Sequence, residues 1–187
     1  MNYTYGSDEW ENAYLEMVEK RLSEVEKPYI MGTPEWVAAF EKLIQNDDDY
    51  KEVAKTWEGT VVIHILANSE IGLNDDIYML MDLWHGDCRS VRLVPREAGE
   101  QADFVLTGEF ERWQSVLEGE LDVVKAMMQG KIKLKGSLPM IVRYVKASKR
   151  LVDLAAQIET SFHTAMDEEE RKKYNEWFSK LRSTYGF

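Results

Sequence analysis

The chain has 187 residues, 44% of them apolar and 30% charged, which suits one soluble domain, alone or with an appendage, built on a substantial core. Its net charge of −11 disfavours broad nucleic-acid binding, which depends on neutralising phosphates. A single cysteine, Cys88, excludes an internal disulfide, and six Trp with nine Tyr argue against disorder.

The first residues, MNYTYGSDEWEN, show no basic stretch followed by an apolar one, so no signal peptide is expected. Residues 8–26 read as a helix, with Trp10, Tyr14, Met17, Val18, Leu22 and Val25 at helical spacing. A second helix starts at TPEW, where Thr33 can cap and Pro34 takes the first helical position. Asp47 to Asp49 suit the N-terminus of a third, short helix that leads to Trp57.

The pattern then turns to strands. Thr60–Asn68 is β-branched and nearly continuous, as in a strand buried on both faces. Ile77–Gly86 and Cys88–Pro95 follow as two more strands around a tight HGDC turn. PREAGEQ reads as a loop, and Ala102–Gly108 as a fourth strand with Ala102, Phe104 and Leu106 on one face. Two short helices follow, EFERWQSVLEG and ELDVVKAMMQG, each ended by a glycine. In GKIKLKG, side-chain alternation turns Lys131, Lys133 and Lys135 outward and Ile132 and Leu134 inward. Ser137 caps a long helix running to about Phe162, and an amphipathic helix carrying Tyr174, Trp177, Phe178 and Leu181 closes the chain. Helices grouped against sequential strands make an α+β layout.

Charge is unevenly spread. Lys125 to Arg150 holds eight basic residues and no acidic one, so the rest of the chain carries −19. Lysines on an exposed strand are an ordinary guard against strand-to-strand aggregation. Arg143, Lys146, Lys149 and Arg150 recur at three- and four-residue steps, make one ridge on a helix, and are the candidates for an anionic head group.

The segment Asp103–Leu138 carries Trp113 on a short helix, then Gly119–Glu120–Leu121–Asp122, then Gly130–Lys131–Ile132–Lys133–Leu134–Lys135–Gly136. This ordered set resembles the sterol-carrier-protein-type-2 family, and the resemblance extends from Thr60 to about Ile158. It implies an antiparallel five-stranded sheet covered by helices, with an apolar tunnel between the layers. It also implies a non-catalytic lipid-binding or transfer protein, holding a fatty acid, acyl-CoA, sterol-like or other hydrophobic ligand. The chain departs from the family after Gly136, where Ser137–Leu138–Pro139–Met140–Ile141–Val142–Arg143–Tyr144 rewrites the helix that would border the tunnel.

The tunnel candidates are Phe104, Leu106, Trp113, Val116, Leu117, Val124, Met127, Met128, Ile132, Leu134, Ile141 and Val145. Each also suits plain core, and flexible Met suits an adaptable pocket. His64, His85 and His163 are separated, and His85–Gly86–Asp87–Cys88 brings His, Asp and Cys together without the further ligands or oriented base that a metal or nucleophile needs. It reads as a structural turn, and no catalytic group, metal or cofactor is expected. The expected divisions are 1–58, an N-terminal helical extension packing on the core; 59–163, the sterol-carrier-like domain; and 164–187, a C-terminal helix. The expected partner is a hydrophobic small molecule, with room for transient contact at a membrane surface and for a homodimer in the cytoplasm. The alternative is an accessory subunit that uses the same fold as a scaffold.

Overall fold

A computed structural model describes residues 3–187. The chain opens with α1 (Asp8–Glu24), whose first turn is capped by the Ser7 hydroxyl accepting from the Trp10 N–H at 3.1 Å. A two-residue strand, β1 (Tyr29–Ile30), precedes α2 (Pro34–Gln45) and α3 (Asp48–Val53). The Asp47 carboxylate caps α3 by accepting from Tyr50 N–H at 2.6 Å. The sheet strands are β2 (Glu58–Leu66), β3 (Ile77–Trp84) and β4 (Asp87–Leu93). Then come α4 (Arg96–Glu100), β5 (Phe104–Glu109), α5 (Phe110–Leu117), α6 (Val123–Met128) and β6 (Lys133–Lys135). The chain ends with α7 (Leu138–Arg143), α8 (Val145–Ala155), β7 (Thr160–Ser161) and α9 (Glu168–Tyr185).

Five strands form one sheet in the order β4-β3-β2-β5-β6. Three of its four interfaces are antiparallel; the fourth, β2 with β5, is parallel. The β3–β4 hairpin leaves on one side of β2, and the chain must cross the sheet through α4 to reach the other, so β5 arrives in the direction of β2. That crossover corrects one sequence expectation: PREAGEQ is not a loop but the short helix α4. It covers the outer face of the sheet, packing Ala98 near Val62, Tyr78, Val94, Ala102 and Val105. The approach is close, since a Cβ on Gly99 would stand 2.5 Å from Cδ1 of Tyr78. Ala102 therefore belongs to the outer layer, not to the face of Phe104 and Leu106.

The other helices cover the inner face. Two further differences from the sequence reading bear on the site. The expected long helix from Ser137 is broken at Tyr144 (φ −103°, ψ 29°) into α7 and α8. No Pro or Gly stands there; the Tyr144 ring packs edge-on to Trp57, with centroids 5.1 Å apart, and its hydroxyl donates to the Thr56 carbonyl at 2.8 Å. Contacts from a distant linker thus turn the helix. The second difference is the parallel pairing of β1 with β7, which ties residues 29–30 to 160–161.

The inner hydrophobic cluster is continuous from Trp10 to Phe187. Its near end is a clasp of α1 on α9: the Trp10 indole donates to the Tyr185 carbonyl at 2.7 Å, and Tyr14 lies 6.0 Å from the Phe187 ring. The helical segments before and after the sheet share its core.

Candidate functional site

The inner face of the sheet follows from alternation. Val61, Ile63 and Ile65 of β2 and Ile77, Met79, Met81 and Leu83 of β3 all point to the helices. Register sets them in rows: Leu93, Met79, Ile63, Leu106 and Leu134 run across all five strands. One row is interrupted, because Ile77 and Ile65 are followed on β5 by Gly108. A Cβ there would meet Trp113 Nε1 at 3.1 Å, so the missing side chain makes room for the indole. Trp113 lies in that space and donates to the His64 carbonyl at 3.3 Å.

Above these rows the helices do not close. A cavity of about 120 Å³ remains between sheet and helices. That is well above the roughly 15 Å³ a single water needs, so the space takes several methylene-sized groups. The roof comes from several covering segments: Trp36 and Phe40 of α2, Tyr50 of α3, Trp57, Trp113, Val116 and Leu117 on α5, Val123 and Met127 on α6, Ile141, Tyr144, and one face of α8. Ile63 makes the empty space visible. Its row neighbours Met79 and Leu106 are buried, yet Ile63 retains accessible surface in the middle of the sheet. Among the described residues, no charged side chain lines this space.

Of the twelve apolar residues singled out in the sequence, six line the cavity: Leu106, Trp113, Val116, Leu117, Met127 and Ile141. Phe104 is buried against Trp57, centroids 4.9 Å apart, and belongs to solid core. Val124 and Ile132 are buried and Leu134 is half-buried, all three outside the lining. Met128 and Val145 do not face inward at all, being 66% and 42% exposed. On α6, Val123 lines the cavity beside Met127, in place of the expected Val124. The period-2 apolar run Ile77–Met79–Met81–Leu83 and the stripe Ala147, Leu151, Ala155 on α8 were the readable signals for the rest of the wall.

The four cations sit outside the cavity. Arg150 is engaged: its Nε and Nη2 donate to Asp47 at 2.9 and 2.5 Å, with Asp49 at 3.5 Å, which raises its pKa further. Lys146 and Lys149 are exposed. Arg143 borders a shallow cleft with Val53, Thr56 and Tyr144, on the outer side of the residue that walls the cavity.

The histidines lie elsewhere. His64 is on the outer sheet face, hydrogen-bonded to Asp76 at 2.9 Å and Thr107 at 3.0 Å and stacked on Tyr78. His85 is in the β3–β4 turn (φ 49°), not in a strand, and pairs with Glu58. Cys88 is buried, and desolvation pushes its thiol up to about 12, far from a reactive thiolate.

Residues 40–149 match the sequence model of the SCP-2 sterol transfer family. A crystal structure of sterol carrier protein 2 is 32% identical, the match covering 68% of this chain and 98% of that one, with a TM-score of 0.64. The solution structure of a conserved hypothetical protein from Thermus thermophilus, described as a possible sterol carrier protein, is 31% identical. That match covers 73% of this chain and 94% of the other, with a TM-score of 0.65. No curated protein sequence matches the chain. With the family matched over more than half its length, on a sheet whose helices leave an apolar cavity, this chain belongs to the SCP-2 sterol transfer family.

Proposed function

We propose that this protein is a non-catalytic lipid carrier that holds the hydrocarbon part of a ligand between its sheet and its helices. The observation that carries this reading is the cavity of about 120 Å³, walled mostly by apolar side chains and by no charged one. Burying each methylene contributes about 0.8 kcal/mol, so an alkyl chain is held there without any chemistry. A scaffold that used the fold only for its outer surface would be expected to fill its interior, which disfavours the accessory-subunit reading. No helix among the described residues is long and apolar enough to cross a membrane, so loading from a bilayer would take place at its surface. Arg143, Lys146 and Lys149, on a chain that is otherwise strongly acidic, would favour an anionic surface there.

The test is the protein as purified. Native mass spectrometry should show adducts of lipid mass that organic extraction removes, and re-addition of lipid should raise the Tm. A ligand at one hundred times its Kd stabilises by about 2.7 kcal/mol, which is a shift easily read. If no lipid is carried and none raises the Tm, the reading fails.

A further inference from the structure

The polar groups of the cavity wall can be accounted for one by one. The Trp36 indole donates to Thr160 Oγ1 at 2.9 Å, Trp57 to the Gly59 carbonyl at 3.0 Å, and Trp113 to the His64 carbonyl. The Tyr144 hydroxyl is held by Thr56. Two hydroxyls remain. Tyr50 lines the cavity and is 1% exposed, and its hydroxyl has no hydrogen-bond partner among the described residues. It is also not among the polar atoms sealed from all open space, which include the Tyr174 hydroxyl and both His163 ring nitrogens. Ser148 lines the same cavity from α8, and its hydroxyl is likewise unpaired among the described residues. The two helices that carry these hydroxyls are pinned together by the Arg150–Asp47 pair.

A buried hydroxyl without a partner is expensive, and native proteins leave few of them. Open to a cavity, it is a seat for an oxygen supplied by a ligand. Nothing in the wall could neutralise a carboxylate, and the nearby Arg150 is already engaged by Asp47. We propose that Tyr50, assisted by Ser148, binds the uncharged oxygen of a lipid, a hydroxyl or carbonyl, so that the cavity selects neutral lipids over fatty-acid anions. This rests on the carrier reading and names the ligand class for it. Burial raises the Tyr50 pKa, so its hydroxyl stays protonated and free to donate.

The test uses the intact chain and three probes of equal chain length, 1-dodecanol, dodecanoate and dodecane. Binding is read near neutral pH by the fluorescence of the lining tryptophans. Wild type should bind the alcohol about tenfold more tightly than the alkane, as one buried hydrogen bond implies, and more tightly than the carboxylate. Tyr50→Phe should lose about tenfold for the alcohol and nothing for the alkane. Should Tyr50→Phe fail to fold, Ser148→Ala should lower affinity for the alcohol alone, by a smaller factor. Dodecanoate binding as tightly as dodecanol, or an alcohol affinity untouched by the substitutions, overturns this proposal and leaves the carrier reading standing. Binding of none of the three overturns both.

Discussion

His163 is sealed in the core between the rings of Phe110 and Tyr174, at 5.0 and 4.4 Å between centroids, and neither of its nitrogens has a partner among the described residues. Desolvation, with a smaller contribution from Arg171, lowers its pKa from 6.5 to about 4. Between those values the unfolded chain binds a proton that the native state refuses. Stability is therefore full above about pH 6.5 and falls as pH drops toward 4, by roughly 3 kcal/mol at most. Urea midpoints taken across that range should show the decline, and His163→Leu should flatten it; an unchanged slope in the variant would assign the acid sensitivity to other groups. Two glycines of GKIKLKG differ in a similarly local way. Gly130 (φ 70°) faces open space, and Gly130→Ala should cost only about 1 kcal/mol for the left-handed backbone. Gly136 (φ 126°) is different, because a Cβ there would lie 2.7 Å from the Phe104 ring and 2.9 Å from the Asp103 carbonyl. Gly136→Ala should cost about 3 kcal/mol in a denaturant titration. The sequence shows two equal glycines; only the fold shows which one is crowded.

At the scale of elements, what was legible in the sequence is what is locally determined. Ser137 caps α7 and Asp47 caps α3 through side-chain bonds three residues ahead, and such signals lie within one turn of chain. Thr33 shows the limit. It stands at the cap position of α2, but its hydroxyl donates backward to the Ile30 carbonyl at 2.8 Å. The break at Tyr144 and the pairing of β1 with β7 depend on partners far away in sequence, and no periodicity reports them. The same holds for the buried Glu35 on α2, which takes two hydrogen bonds, at 2.8 and 3.1 Å, from Arg21 of α1. That guanidinium lies 4.0 Å over the Trp177 ring of α9, so one side chain joins three helices. Arg21→Met would leave Glu35 buried and unpaired, and should destabilise the protein by about 3 kcal/mol. Adding Glu35→Leu to that variant should restore most of the loss, since a well-packed apolar pair often replaces a buried ion pair at little cost. If the double variant is as unstable as the single, packing against Trp177 rather than charge holds the three helices together.

The whole molecule explains why only part of the cavity wall could be read from sequence. The lining residues found on α5 and α6 lie inside the stretch that resembles its family. Trp36, Phe40, Tyr50 and Trp57 come from the segment before the sheet, where an aromatic at helical spacing reads equally well as plain core. A cavity is a property of how layers fail to meet, and no single element encodes it. This gives the cavity an energetic signature. Empty space beside Ile63 forfeits dispersion contacts and lowers the stability of the unliganded protein. Ile63→Phe places its added ring in that space, from the centre of a strand that is held on both sides. It should therefore raise the Tm of the lipid-free protein, by an amount equivalent to about 1 kcal/mol, while abolishing lipid uptake. A random core substitution does the opposite on the first count, because overpacking a filled interior destabilises. The two readouts together separate a ligand seat from a packing flaw. A higher Tm with lipid binding intact would mean that lipid is held elsewhere, and a lower Tm would mean that the space beside Ile63 is already taken by its neighbours.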